Sequence, residues 1–581
     1  MKNKKILVII GIGILVLLIG IICLFMFRTK SIALSKDYKK MTIKVSHKDD
    51  KVIILNVKEK SDIMISDVFV SNVDNYYVYF LKDINDKNVG KGIIQNKTDL
   101  LIRNVEKGKY KLYVVNDSDK KVKIDCKIKL NEIVDKKYAI LQDGYTVRKK
   151  IRELTVGKDS YDSDKTIKKI KLAKEMNNKY RNPNYLVSSD TSNKDIYLWV
   201  DNDTLYFYSE IDISFGDDIS NIFSNLDSLV DINDLKYFDF SNVKNAYGMF
   251  SSDSSLSDIK VISSFDTRNV EDVASMFNGC HSLVEITPFI SFAMADLKNM
   301  SRVFSDTQVK NIDIMKYFDV SSVENMDALF QDTQVVDLSP IEEWETKKVS
   351  SVSFMFAGSR ITNVDALSKW DVSNVVDMVG IFDECGYLKS IDGLKNWDTS
   401  SLERMSYAFK FVEATNLDAL KNFKTDKLIE LEEAFAEMRE LKDINGIKDW
   451  NVSKVKKFSG LFALTAFEDT SCLKNWDLSK AEKTDNMFSH TKIKNLTGLK
   501  NWNVSNVKDF SDMFSNTQIN SLDDISKWDV SNGEDFTEMF KNNSKLKDSS
   551  EIDNWKVNGN TTDMFINTTT KYPKWYSWLC K

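Results

Sequence analysis

A phenylalanine recurs every 25 to 27 residues between Phe223 and Phe565, and this period constrains the fold more than any other feature of the sequence. A unit of about 26 residues is too short to bury a core of its own, so successive units must stack and share one. The spacing therefore predicts a solenoid of 13 or 14 coils over residues 212–570. The repeating positions are Phe223, Phe250, Phe277, Phe304, Phe330, Phe356, Phe382, Phe409, Phe435, Phe462, Phe488, Phe514, Phe540 and Phe565.

A second aromatic residue lies twelve residues before most of these phenylalanines, and Trp555 lies ten before the last one. Both aromatic columns recur in phase with the other apolar positions, so we predict that they form the core rather than a ligand platform. The second column consists of Phe238, Phe265, Phe292, Phe318, Trp344, Trp370, Trp397, Phe423, Trp450, Trp476, Trp502 and Trp528.

The local pattern of one unit predicts a strand followed by a short helix. The segment LKSIDGLKNW has an apolar residue at every third position, which suits a short strand and a bend. Ser400 and Glu403 then have the spacing of a helix capping box, and Leu402, Met405 and Phe409 would share one helical face. The sequence thus predicts an α/β repeat that forms a leucine-rich-repeat-like solenoid.

The amino terminus predicts a membrane anchor. The 22 residues from Ile6 to Phe27 carry no charge, and about 20 helical residues span a bilayer. Three lysines precede this run, so residues 1–30 are interpreted as a cytoplasmic tip and transmembrane helix. This predicts a single-pass protein of the cell membrane with its carboxy-terminal bulk extracellular. A cleaved signal peptide is the alternative, because residues 31–33 have a small-x-small pattern.

Three further segments surround the repeats. Residues 31–135 alternate β-rich runs such as KVIILNV with polar clusters, which predicts a small all-β, Ig-like sandwich. Residues 136–211 are predicted to form a helical connector, with helices at 145–154 and 165–176, and a β-hairpin cap built from IYLWV and LYFYSE. Residues 571–581 are assigned to a carboxy-terminal cap.

Charge is unevenly distributed along the chain. Residues 31–180 contain 34 basic and 22 acidic side chains, whereas residues 181–581 contain 42 basic and 64 acidic ones. A repeat region with this excess of acid repels phosphate backbones, so nucleic acid is not expected as a partner.

No catalytic or metal-binding constellation is recognisable. The histidines His47, His281 and His490 stand in unrelated contexts, and the six cysteines form no CxxC pair. We therefore predict no enzymatic activity, no metal and no cofactor. Cys280 and Cys385 occupy equivalent positions four coils apart, beyond disulfide reach, and are predicted to be core thiols.

A regular polar column lies seven residues before the second aromatic column. We interpret it as a ladder that bonds to the backbone, and a cation-binding stripe is the alternative. Its members are Asp231, Asp258, Glu285, Asn311, Asp337, Asn363, Ser390, Asn416, Asp443, Asp469, Asn495, Ser521 and Asp548.

A more variable column follows two positions later. Its variety makes it the better candidate for recognition, and Asp365, Asp392 and Asp418 form its densest acidic block. A solvated face without a ligand is the alternative interpretation. The column consists of Asn233, Lys260, Thr287, Asp313, Ser339, Asp365, Asp392, Asp418, Asn445, Ser471, Thr497, Asp523 and Ser550.

Each of the segments WDVSNV, NWDTSSL, NWNVSNV and KWDVSN is followed by a Met-Phe or similar pair, such as Met487-Phe488 or Met513-Phe514. In these motifs, over roughly residues 195–570, the sequence resembles the BspA-like leucine-rich-repeat surface proteins of bacteria. The resemblance implies surface exposure and adhesion or host-matrix binding, and it supplies no ligand-binding motif.

These features together predict a membrane-anchored bacterial surface protein whose solenoid binds a protein or another cell-surface macromolecule. A structural or assembly component of the cell envelope, without a host ligand, is the alternative. A third hypothesis, an enzyme with its site in the sandwich, would depend on His47 alone.

Overall fold

The computed structural model describes residues 30–34, 39–45, 49–59, 61–71, 77–85, 88–94, 100–116, 121–132, 137–157 and 162–576. The chain divides into two compact units, one based on Met1–Lys137 and one that begins at Tyr138.

The first unit contains two β-sheets with a shared core. One sheet has the order β1-β3-β8-β5-β6 and the other β2-β9-β4-β7. All pairings are antiparallel except β1 with β3. Apolar side chains at alternate positions of the strands point into the core, as Met41, Ile43 and Val45 do in β2. The strands are β1 (Lys30–Ala33), β2 (Lys39–Val45), β3 (Asp49–Val57), β4 (Ser61–Val70), β5 (Tyr77–Lys82), β6 (Asn88–Ile94), β7 (Leu100–Val105), β8 (Gly108–Asn116) and β9 (Val122–Glu132).

The second unit opens with a small cap of one helix and five short strands. Helix α1 (Gly144–Thr155) begins after Asp143, whose side chain accepts the Thr146 N–H at 3.0 Å. This confirms the helix predicted at 145–154. The hairpin of β12 with β13 is also confirmed. The strands are β10 (Ala139–Ile140), β11 (Lys169–Leu172), β12 (Tyr197–Asp201), β13 (Thr204–Tyr208) and β14 (Ile213–Ser214).

The helix predicted at 165–176 is wrong, because strand β11 lies there and pairs in parallel with β13. Its basic residues face acidic partners: the Lys171 ammonium lies 2.7 Å from Asp231 and 3.6 Å from Asp234. These ion pairs join strand β11 to the first coil of the repeats.

Each repeat is a coil of turns with one 3-10 helix. Two further 3-10 helices, Asn178–Tyr180 and Pro183–Tyr185, precede the repeats. The 3-10 helices of the coils are Asn233–Tyr237, Lys260–Ser264, Thr287–Ser291, Asp313–Tyr317, Ser339–Ile341, Asp365–Lys369, Asp392–Leu394, Asp418–Leu420, Asn445–Ile447, Ser471–Asn475, Thr497–Leu499, Asp523–Ile525 and Ser550–Ile552.

The backbone between one coil and the next is joined by parallel hydrogen bonds from alternate residues. Met405, Tyr407 and Phe409 donate their N–H groups to carbonyls of the following coil at 2.9 to 3.2 Å. The N–H groups between them stay within the coil, as Ala408 N–H donates to Met405 O at 3.2 Å. Single-residue parallel bridges, such as Asp377 with Arg404 and Arg404 with Glu430, mark the same ladder.

Two left-handed residues, four positions apart, bend every coil from Asn221 to Asn567. In one coil they are Tyr407 and Phe411, with φ angles of 61° and 63°. Gly380 takes the first of these positions in the preceding coil, at φ 58°, and an added Cβ there would overlap the Phe354 ring. Alternating right- and left-handed turns are therefore the local structure that the repeat uses.

These observations correct the predicted α/β, leucine-rich-repeat-like fold class. An α-helix would bond each N–H to the carbonyl four residues earlier, but here alternate N–H groups leave the coil. Glu403, expected in a capping box, instead donates its N–H to Val376 O of the preceding coil at 3.0 Å. In the residues that the structure describes, α1 is the one α-helix, and it lies outside the repeats.

The predicted membrane helix and the localisation drawn from it are also corrected. Across the described ranges, no helix is both long and apolar enough to cross a bilayer. The segment from Ile6 to Phe27, on which the prediction depended, lies outside the described residues.

The two aromatic columns form the core of the repeats, as predicted. Phe409 is 2% exposed and stacks between Phe382 and Phe435, with ring centroids 5.7 and 5.8 Å away. The column tryptophans also bond across coils: the Trp476 Nε1–H donates to Ile447 O at 3.1 Å, and seven others make the equivalent bond at 2.9 to 3.2 Å. Those seven are Trp344, Trp370, Trp397, Trp450, Trp502, Trp528 and Trp555.

Candidate functional site

The regular polar column caps the backbone of every coil. The side chain of each of its 13 members accepts the N–H two residues later, as Asp443 does from Asn445 at 2.8 Å and Asn363 from Asp365 at 3.2 Å. The hydroxyl and N–H of Ser550 hold the pKa of Asp548 below its ordinary value. The interpretation as a backbone ladder is therefore confirmed.

The variable column provides the first residue of each 3-10 helix in the repeats. We call the exposed side of these helices the 3-10 face; from Asp313–Tyr317 onward each helix contacts the next. Asp365, Asp392 and Asp418 lie on it in three consecutive coils, and all three are exposed. Ser390 Oγ–H donates to the Asp392 carboxylate at 2.9 Å.

A shallow groove of about 430 Å³ lies on the 3-10 face beside Asp365. Its walls include Asp337, Ser339, Glu342 and Asn363, from two successive coils. Asp392 and Asp418 do not line it, so the structure places the three predicted site residues on one face and only the first of them in the groove.

The cation-binding alternative gains no support from the geometry. Among the residues with a described placement, no group of three or more His, Cys, Asp or Glu side chains is arranged to hold a metal ion. The acidic side chains of the polar column already accept backbone N–H groups.

Neither His281 nor His490 belongs to the acidic block of the 3-10 face, and each has a partner of its own. His281 Nε2 is 2.8 Å from an Asp306 oxygen in an exposed pair, and Ser489 Oγ is 2.9 Å from His490 Nδ1. His47 lies outside the described residues. Cys280 and Cys385 are buried, as predicted, and burial raises the pKa of the Cys385 thiol to about 12. Such thiols are poor nucleophiles at neutral pH.

A second column on the 3-10 face was missed by reasoning from the sequence. Two residues before the aromatic, five consecutive coils carry an exposed lysine. The repeated segments LKNW, LKNF and IKDW contain this lysine, but only their tryptophan or phenylalanine was used to define a column. The five are Lys395, Lys421, Lys448, Lys474 and Lys500.

A protein-family model matches five overlapping segments of the repeats, at residues 217–337, 298–416, 328–440, 385–496 and 465–578. Together these matches cover residues 217–578, more than half of the 581-residue chain. The chain belongs to the DUF285 family. The family is described as a Mycoplasma protein of unknown function. The five matches confirm the predicted repeats, and the DUF285 region includes all three predicted site residues. No curated protein matches the chain in sequence.

Proposed function

We propose that the DUF285 repeats bind a macromolecular partner, a protein or another cell-surface macromolecule, through the 3-10 face. One observation carries this proposal: the buried and capping positions of each coil keep their chemistry, while the exposed first residue of the 3-10 helix varies. That residue ranges from Lys260 through Asp392 to Thr497. Because the side chain of this residue is not needed for the cap, its identity is free to serve recognition.

We further propose that these repeats are of the BspA-like kind and take part in adhesion. The support is the set of WDVSN-type segments, whose aspartate or asparagine accepts the N–H of the serine two residues later. Asp371 does so from Ser373 at 3.1 Å, and Asn503 from Ser505 at 3.2 Å. The motif that carries the resemblance is thus a turn that each coil needs, which leaves the partner to be identified at the exposed positions.

The acidic block is the first place to test. Full-length protein and the variant D365K/D392K/D418K should be immobilised and used to capture proteins from cell-surface and extracellular-matrix extracts, with bound proteins identified by mass spectrometry. A matched control, D296K/E324K/E430K, makes the same charge change at three exposed acidic residues away from the 3-10 face. Each captured partner is then titrated directly against all three proteins.

Loss of about tenfold or more in affinity for the block variant alone is the expected result, since charge complementarity sets specificity at such interfaces. Equal loss in the control would place recognition elsewhere. Capture of further copies of the chain alone, unaffected by either variant, would favour the assembly role over a heterologous partner.

A further inference from the structure

We propose that five lysines on the 3-10 face form a second binding site, for an acidic polysaccharide. This lysine stripe consists of Lys395, Lys421, Lys448, Lys474 and Lys500. The 3-10 helices beside these lysines contact one another in sequence, so the stripe runs from coil to coil along the repeats. All five side chains are exposed. The stripe differs from the acidic block in both residues and partner, so it goes beyond the function proposed above.

The fold does not require lysine at this position. The backbone has the same role in every coil, yet the other coils place small, apolar, acidic or basic residues here. Those residues are Lys236, Ser263, Ile290, Lys316, Glu342, Ser368, Ser526 and Asp553. The fold therefore does not require the lysines that five consecutive coils carry here.

The stripe is also weakly neutralised. Within the part of the chain that the structure describes, Lys395, Lys421, Lys448 and Lys474 have no carboxylate within 4.0 Å. Lys500 has one, Asp524, at 3.9 Å. Backbone bonding like that of neighbouring strands spaces such positions about 4.8 Å apart, so the ammonium groups repel one another along the stripe.

Another charged column of the same repeats shows how the chain avoids such repulsion. Six residues after the aromatic, the sign of the charge alternates in two runs of four coils, and opposite charges pair there. The runs are Lys244, Glu271, Lys298 and Glu324, and Lys456, Glu482, Lys508 and Glu534; Ser350, Val376, Glu403 and Ile429 stand between them. Lys456 lies 2.7 Å from Glu482, and Lys508 lies 3.0 Å from Glu534. Lys298 pairs with Glu271 in the same way. The lysine stripe departs from this arrangement, as expected of a surface that meets an anionic partner.

The residues beside the stripe favour a sugar polymer. The next position along the chain carries a carboxamide in four of the five coils, at Asn396, Asn422, Asn475 and Asn501, and these residues are exposed. Carboxamides donate to and accept from hydroxyl groups, while ammonium groups pair with carboxylate or sulfate. The fifth coil has Asp449 instead.

Nucleic acid fits less well. Proteins that bind single strands combine basic grooves with aromatic side chains on which bases stack, and the exposed positions of these five 3-10 turns carry no aromatic residue.

The acidic neighbour that the first two stripe lysines have within their own turn is absent from the three later coils. In a 3-10 helix, residues three apart lie one above the other, which places Asp392 beside Lys395 and Asp418 beside Lys421. The three later coils have the uncharged Asn445, Ser471 and Thr497 at that position; the later lysines therefore lack this neighbouring acid.

The test measures binding of full-length protein to heparin, hyaluronate, neutral dextran and a single-stranded DNA oligonucleotide at several salt concentrations. The stripe variant is K421Q/K448Q/K474Q. The matched control, K298Q/K456Q/K508Q, removes the same charge from the paired column. Circular dichroism and thermal unfolding of each variant check that the repeats remain folded.

We expect wild-type protein to bind heparin or hyaluronate and not dextran, and the stripe variant to bind at least about tenfold more weakly with a shallower salt dependence. The control should change by less than about threefold, and D392K/D418K should bind more tightly. Absence of glycan binding by the wild type, or equal loss in the control, would overturn the inference. Stripe-dependent binding of the oligonucleotide with no glycan binding would assign the stripe to nucleic acid instead. Protein capture lost only in D365K/D392K/D418K tests the earlier proposal separately.

Discussion

Replacing Asp253 with asparagine is expected to stabilise the repeats at neutral pH. Asp253 is fully buried, and one carboxylate oxygen accepts the Leu226 N–H at 2.7 Å. Its other oxygen is buried without a hydrogen-bond partner among the described residues. Desolvation raises the pKa of Asp253 well above its ordinary value, and the Leu226 N–H opposes this shift; Asp227 adds to it and Arg152 opposes it.

The chain contains a template for this substitution. Asn543 occupies the equivalent position in a later coil, where its Oδ1 accepts the Thr517 N–H at 3.2 Å. Its Nδ2 donates to Phe514 O and Phe540 O at 2.8 and 2.9 Å. Asparagine at 253 should make the equivalent bonds in its own coil, because the Leu226 N–H bonds to residue 253 as the Thr517 N–H bonds to Asn543.

The sign of the pH dependence follows from the raised pKa. The unfolded chain loses the Asp253 proton at about pH 4, whereas the folded chain retains it to higher pH. Between these two pKa values the free energy of unfolding of the wild type falls as pH rises, by about 1.4 kcal/mol per pH unit. The variant lacks this dependence. At pH 7 it should be more stable by about 1 to 3 kcal/mol, the usual cost of an unsatisfied buried polar group.

Hydrogen exchange of the peptides containing Leu226 and Asp253, corrected for intrinsic rates, measures this local stability. D253N should be better protected than the wild type at pH 7, and this advantage should shrink as the pH falls toward 4. The reciprocal variant N543D should lose protection at its own coil as pH rises. Parallel pH dependences of wild type and D253N from pH 4 to 7 would refute the argument that a buried neutral carboxyl occupies this site.

Three further substitutions test the parts that every coil shares. Trp476→Phe removes the donor to Ile447 O and should lower the free energy of unfolding by about 1 to 3 kcal/mol. Hydrogen exchange in the coil of Ile447 should become faster; unchanged exchange would mean that the bond contributes nothing to stability. Phe409→Ala opens a cavity in the stacked column and should cost about 3 to 5 kcal/mol in urea unfolding, with Tyr407→Phe as a control at the surface of the same coil. Asp443→Ala loses the cap on Asn445 and should cost about 0.5 to 2 kcal/mol, whereas Asp443→Asn should retain most of the stability.

The sequence predicted the parts of the repeat that recur in phase. The Phe and Trp columns, the capping ladder and the core thiols were identified because each coil repeats the same chemistry at the same offset. The hairpin of β12 and β13 and helix α1 were predicted from local sequence, and the structure has both.

The turns that replace the predicted short helix could not be recognised from the sequence of one unit. Leu402, Met405 and Phe409 have helical spacing, but the turns that alternate in handedness bury the same side chains. The acceptors that favour those turns are carbonyls about 25 residues further on, in the next coil. Glycine, asparagine and aspartate at many left-handed positions were the available signal, as at Gly248 and Asn486, and the bulky Phe354 at the same position obscures it.

The candidate site was only partly visible for a related reason. The acidic block was predicted because three aspartates occur together in a variable column. The lysine stripe was missed because each of its residues lies only two positions before the aromatic residue that defines the repeat. Surface function in a stacked array depends on what several coils place side by side, so a column must be compared along the whole array before its charge has meaning.

The backbone cap and the proposed recognition surface use different parts of the same coil. The cap uses the residue seven before the aromatic and the backbone N–H two residues later, and the Trp indole bonds to the 3-10 helix of the preceding coil. Neither contact uses the side chain two residues before the aromatic. The backbone cap forms whichever side chain begins the 3-10 helix, and the hydroxyl groups of Ser339, Ser471 and Ser550 add a second bond to the capping residue. Lys260, Asp392 and Thr497 therefore all occupy the first position of the 3-10 helix. The backbone N–H at that position donates to the capping residue at 2.8 to 3.4 Å across the column. Under the two proposals, substitutions in these two columns would change the partner while the buried columns and the backbone cap stay in place.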